Sequence, residues 1–184
     1  MFERENLPVR VKSAAGIGGM PEVEETESTF VGNATLKVMA LADRLKEGDY
    51  ALADDSGIEV DALDGAPGIY SARFAGENTT DTANLVKLMI LISQVPEDNR
   101  GAQFACSLVL VDSEGNKTTF SDICRGHLIP ESRGENGFGY DPAFIPEGYD
   151  KTFGELGWDV KSRISHRAKA LQQLVSWLRE NLPD

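Results

Sequence analysis

Ala53-Asp54-Asp55-Ser56-Gly57 interrupts a segment that is otherwise β-rich: Tyr50-Ala51-Leu52 leads into it, and Ile58-Glu59-Val60 resumes strand character after it. Consecutive carboxylates beside a Ser-Gly pair are expected at a strand end or turn, a position where chemistry is commonly placed. Their charges raise the local negative potential, and one cation with two or three oxygen ligands is the simplest relief for it. A solvated loop with Asx capping would serve the same residues, so the motif alone does not decide a function.

Working outward, Pro8-Val9-Arg10-Val11-Lys12 alternates and predicts an early short strand ended by the Gly-containing stretch 15–20. Thr29 is placed to cap a helix whose apolar stripe runs Phe30, Ala34, Leu41, Leu45, with Lys37 on the same helix. A second helix is expected over 81–95, burying Leu85, Leu88, Met89, Ile92 and Val95. Residues 102–112 form the most strand-like run, and Ser113-Glu114-Gly115-Asn116 turns the chain into a return strand from Lys117 toward Ile129. After the Gly-rich loop 134–142, a last helix from about Ser165 to Asn181 presents Leu171, Leu174, Val175, Leu178 and Leu182. Strands and helices interleave around an antiparallel hairpin, so the fold class is α/β, with α+β character and a mixed sheet, in one domain spanning 1–184.

Composition narrows the partners. The chain carries 18 Lys and Arg against 30 Asp and Glu, a net charge of -12, without a basic block. Stable binding to nucleic acid or to an anionic membrane is therefore not expected, since both need a positive footprint. A triphosphate remains a possible ligand if the few cations gather locally and a divalent metal shares the charge. Cys106 and Cys124 have neither CxxC nor zinc spacing and are expected as reduced core thiols. The amino terminus shows no secretion signal, and no run approaches the ~18 apolar residues of a membrane span, so a cytoplasmic address is expected.

Glu25, Lys37, Asp54 with Asp55, Lys161 and the triplet Ser165-His166-Arg167 are the polar groups that stand out. Ser165 can cap the last helix, leaving His166 and Arg167 in its first turn, where free N–H groups favour an anion or a carbonyl oxygen. Positive side chains there oppose the helix dipole, so a ligand is expected to supply negative charge. Phe138, among Gly134, Gly137 and Gly139, is free to stack on a planar ligand, although such a loop is also an ordinary turn. Gly16-Ile17-Gly18-Gly19 is not a dinucleotide fingerprint, and neither a P-loop nor a G-x-S-x-G elbow occurs.

Taken in order, these blocks resemble the inosine triphosphate pyrophosphatase family over nearly the whole chain. The resemblance lies in Glu24-Glu25-Thr26 with Thr29-Phe30 and Asn33-Ala34-x-x-Lys37, then Ala53-Asp54-Asp55-Ser56-Gly57 with Gly65-Ala66-Pro67-Gly68-Ile69-Tyr70-Ser71-Ala72-Arg73. Gly137-Phe138-Gly139-Tyr140-Asp141-Pro142, Thr152-Phe153 and Ile164-Ser165-His166-Arg167 complete it. The resemblance implies an elongated mixed sheet with flanking helices, forming two lobes around a central nucleotide cleft. It also implies hydrolysis of ITP, dITP or XTP to the nucleoside monophosphate and pyrophosphate, which sanitises the nucleotide pool, and a homodimer.

By the same resemblance, Glu25 and Asp55 hold Mg²⁺, and Asp54 or Asp55 orients or deprotonates the attacking water. Lys37 contacts the phosphate chain, Phe138 stacks on the purine, Lys161, Ser165, His166 and Arg167 line the base pocket with Asp141, and Ser56, Gly139 and Tyr140 also bind the substrate. Lys, Arg and a His N–H are donors that suit a keto oxygen at purine C6 and would leave an amino group unpaired. The chain departs from the family twice. The strand and Ser/Thr-x-Asn-x-x-Lys loop expected first are not visible, the opening six residues corresponding to the tail of the following helix. Gly32 replaces an acidic residue. A chain shortened relative to the family is expected, and with it the alternative of a nucleotide-binding protein with little or no turnover.

Overall fold

Thr29 precedes Phe30 with extended backbone and accepts a hydrogen bond from the Gly32 N–H, starting α1, Phe30–Ala42. A Cβ on Gly32 would come within 2.5 Å of the Glu27 Cβ. A larger side chain at Gly32 would therefore require Glu27 to shift. The computed structural model describes residues 7–182. Residues 1–6 and 183–184, including the helix tail expected at the amino terminus, lie outside the described residues.

The remaining elements are β1 (Tyr50–Val60), α2 (Asp81–Ser93), β2 (Gly101–Asp112), β3 (Lys117–Leu128), β4 (Phe144–Pro146), α3 (Trp158–Ile164) and α4 (His166–Asn181). The strands form one four-stranded sheet in the order β1-β2-β3-β4, which bears out the α/β class with helices flanking a sheet. Gly126, His127 and Leu128 of β3 pair antiparallel with Pro146, Ile145 and Phe144 of β4. In the β2–β3 hairpin the Asp112 carboxylate accepts from the Glu114 and Asn116 N–H groups, fixing the turn.

Three expectations need correction. Residues 9–13 form no strand, and Ala14–Ile17 is a 3-10 turn closed by Gly18 at φ 97°. Pro8 has no N–H for a ladder, and Val11 remains 66% exposed, so alternation there found no strand to pair with. The aspartate pair lies inside β1, which runs unbroken for 11 residues, rather than at its end. Lastly, α3 and β4 were not anticipated, because seven and three residues are too few to carry a period.

The chain divides into two compact units. One comprises Met1–Asp55, Ser107–Phe120 and Ala170–Asp184, the other Ser56–Cys106 and Ser121–Lys169. In the first, Ala34, Val38 and Leu41 pack with Ala51, Val109 and Val111. In the second, Ile58, Val60, Leu85, Leu88, Ile92, Phe104, Phe144 and Phe153 form the core. Along β1 the deeply buried positions are Ala51, Asp55 and Gly57, then Ile58 and Val60, so the parity of burial changes between Gly57 and Ile58. Cys106 and Cys124 are both buried, as expected, and burial pushes the Cys124 thiol up to about 11. Among the described residues no helix is long and apolar enough to cross a membrane.

Candidate functional site

Asp55 sits in β1 at 8% exposure, where a bare carboxylate would be costly, and it is compensated from α1. Lys37 Nζ lies 2.7 Å from Asp55 Oδ1 and 2.7 Å from Glu25 Oε1, and it also donates to the Asp54 carbonyl at 3.3 Å. Asn33, fully buried one turn earlier, donates Nδ2 to Asp55 Oδ2 at 3.4 Å and accepts at Oδ1 from the Glu27 N–H at 3.0 Å. The sequence reading quoted Asn33 within a family block but gave it no role. Its spacing of four from Lys37 places both on one helix face, and that was the available signal.

The electrostatics of this group are mutual. Burial raises the Asp55 pKa above 3.8, against the hydrogen bond and charge of Lys37, and the charge of Glu25 adds to the rise. Burial would lower Lys37, but its hydrogen bonds to Asp55 and Glu25 outweigh that and hold it above 10.5. Two hard oxygen donors thus converge on one positive charge.

The other sequence-marked residues lie in the second unit, where all but Ser165 and Arg167 line a cavity of about 140 Å³. Its walls include Ser56, Phe138, Gly139, Tyr140, Asp141, Lys161 and His166 from the expected set, and Ser71, Asp81, Asn84 and Phe104 besides. Its volume is well below the roughly 300–1,000 Å³ of a site enclosing a drug-sized ligand, so it suits a small group. Phe138 is 61% exposed, with Lys161 Nζ 4.6 Å and the Arg167 guanidinium 5.9 Å from its ring centre. Arg167 Nη2 donates to Ser56 Oγ at 2.9 Å.

Asp141, 2% exposed, anchors that wall: its Oδ2 accepts from the Phe138 N–H at 2.8 Å and pairs with Lys161 Nζ. Gly137 has φ 79°, and a Cβ there would collide with the same carboxylate, so only glycine fits. Tyr140 is buried and donates its hydroxyl to the Ser71 carbonyl at 2.7 Å, which makes it a wall rather than an exposed contact. Ser165 Oγ accepts from the Ala168 N–H at 3.2 Å, the cap of α4 that the sequence predicts.

The model of the Ham1 family matches residues 2–177 of this chain. The chain belongs to the Ham1 family. A dITP/XTP pyrophosphatase of Opitutus terrae is 49% identical over 179 residues, covering 97% of this chain and 88% of that protein. A solved HAM1 protein from Coxiella burnetii superposes with a TM-score of 0.86 at 37% identity, covering 95% of this chain and 88% of that one. The Staphylococcus aureus Ham1 protein gives a TM-score of 0.81 at 42% identity, covering 88% and 82%. Membership agrees with the resemblance carried by the motifs.

In this Ham1 chain His166 is the most perturbed group of the cavity. It is 7% exposed, stacks on Phe104 with ring centres 4.9 Å apart, and its Nδ1 has no hydrogen-bond partner among the described residues. Burial, reinforced by the charges of Arg167, Lys161 and Lys169, pushes its pKa down to about 3, so the imidazole is neutral at physiological pH. A histidine whose folded pKa lies below its unfolded value leaves stability intact above about pH 6.5 and erodes it as pH falls toward the folded pKa. Each pH unit in that window costs up to about 1.4 kcal/mol, so melting at pH 5 should lie roughly 4–8 °C below that at pH 7. His166→Gln should flatten the slope in thermal melts across this window, and an unchanged slope would refute the assignment.

Proposed function

We propose that this chain hydrolyses non-canonical purine nucleoside triphosphates, ITP, dITP and XTP, to the nucleoside monophosphate and pyrophosphate, removing them from the nucleotide pool. The observation that carries the reading is the cavity beside Phe138, where a stacking ring is joined by Lys161, Arg167 and a neutral His166. Hydrogen-bond donors dominate that set, so a keto oxygen at purine C6 is matched, whereas the amino group of adenine would present a donor to donors. The names borne by curated relatives, dITP/XTP pyrophosphatases aligned over 97% and 92% of the chain, support the same chemistry. Binding without turnover is the less favoured alternative for that reason.

The convergence of Glu25 and Asp55 on the Lys37 ammonium is the observation that a hard cation fits. Mg²⁺ commonly takes one or two carboxylates and keeps its waters, a demand that Glu25 and Asp55 would meet. In the proposal Glu25 and Asp55 hold the ion, which when bound neutralises phosphate charge and favours ionisation of water. Asp54 or Asp55 orients or deprotonates the attacking water, Lys37 pairs with the phosphate chain, and Ser56, held by Arg167, also binds the substrate. The base is received by Phe138, Gly139, Tyr140, Asp141, Lys161, Ser165, His166 and Arg167. A homodimer working in the cytoplasm belongs to the same proposal, following the family resemblance.

Pyrophosphate release measured with Mg²⁺ on ITP, dITP, XTP, GTP and ATP tests it. ITP and XTP should exceed ATP by roughly 10³-fold in kcat/KM, the scale of penalty for unpaired polar groups in a dry pocket. Equal rates on all five, or orthophosphate as sole product, would overturn the proposal.

A further inference from the structure

Phe138 is exposed over most of its surface, with the Lys161 and Arg167 cations near its ring but little apolar packing around it. Its position depends heavily on its backbone, yet that backbone lies between two glycines in the left-handed region, Gly137 at φ 79° and Gly139 at φ 59°. Glycines admit many alternative conformations, and a loop containing two of them needs external restraint to hold one ring orientation. Two carboxylates provide it. Asp141 Oδ2 accepts from the Phe138 N–H at 2.8 Å, and Asp81 Oδ2 accepts from the Gly139 N–H at 3.2 Å. The peptide groups on either side of the Phe138 Cα are therefore both held.

Asp81 is the first residue of α2, whose cap is Thr80, with Thr80 Oγ1 accepting from the Ala83 N–H at 3.2 Å. An acid at this position is ordinarily explained by the helix dipole. Here the same turn also secures the opposite wall. Asn84, buried, donates to the Ala72 carbonyl at 3.0 Å and accepts from the Ala75 N–H at 2.7 Å, and Ala72, Asp81 and Asn84 all line the cavity.

We propose that Asp81 is a positioning residue for base recognition: through the Gly139 N–H it holds the Phe138 ring at the cavity, without itself contacting the reacting phosphates. The inference rests on the reading of this cavity as the purine site. Inosine monophosphate is the probe, because its binding reports base recognition apart from turnover. Asp81→Ala should weaken IMP binding about fivefold and raise the KM for ITP in step, with kcat within about twofold of wild type. Asp81→Asn, which retains an acceptor oxygen, should return affinity to within about twofold. Thr80→Ala removes the cap of the same helix without touching the loop, so it should lower the melting temperature and leave IMP affinity unchanged. Unchanged IMP affinity in Asp81→Ala would overturn the inference alone. Equal weakening by Thr80→Ala would overturn it too, since helix stability would then be the cause. A wild-type chain that binds no IMP would overturn the purine reading and this inference with it.

Discussion

Asp55→Asn is expected to lower kcat for pyrophosphate release roughly 10³-fold, the several kcal/mol that metal-assisted charge stabilisation supplies. The substitution keeps shape and an acceptor oxygen while removing one of two charges converging on the Lys37 ammonium. Structure should survive, because Lys37 keeps Glu25 and the variant amide can still accept from Asn33 or Lys37. Burial already outweighs the pairing with Lys37 and holds the Asp55 pKa above 3.8, so removing the charge should cost little stability. The wild-type carboxylate also ionises above the usual 3.8 because burial opposes its charge. Activity should therefore fall as pH drops through that raised value, and the Asn variant should resemble the protonated enzyme at every pH. A fully active Asp55→Asn protein, with an unchanged acid limb, would remove Asp55 from the proposed chemistry.

Asp141→Ala should be strongly destabilising. It strips the counterion from Lys161, whose side chain is 13% exposed, and leaves the ammonium facing the rings of Phe138 and Phe153. Breaking such a pair from one side typically costs about 3–5 kcal/mol, because the remaining charge is buried without a partner. For a chain of this size that corresponds to roughly 6–20 °C in melting temperature. The Phe138 N–H is orphaned as well, so nucleotide affinity should fall together with stability. Asp141→Asn keeps an acceptor for that N–H and should recover affinity more fully than stability. A loss below about 2 °C for Asp141→Ala would show that Lys161 finds water instead.

The sequence disclosed what local rules govern. Thr29 before Phe30 and Ser165 before His166 were readable as caps because the interaction spans one helical turn. The hairpin around residues 113–116 was readable from its turn residues. What escaped was set by partners distant in the chain. A buried Asp55 inside a strand is tolerable only because Lys37 and Asn33 reach it from α1, and neither is visible from residues 53–57 alone. Asp81 carried no role in the sequence, because the Gly139 N–H that its carboxylate accepts from lies 58 residues away. At Val9 and Val11 the error was reversed: the pattern was present, but no strand paired with it. Membership of the Ham1 family was legible because it rests on blocks of residues in order, which do not depend on where the chain carries them.

The change of burial parity in β1 makes that strand a ruler as much as a wall. Side-chain identities along it can vary within chemical limits, but the number of residues cannot. Adding or removing one residue between Asp54 and Ile58 would turn either Ala51 and Asp55 or Ile58 and Val60 outward, because each step reverses the facing of everything beyond it. A drift in composition is thus survivable where a drift in length is not.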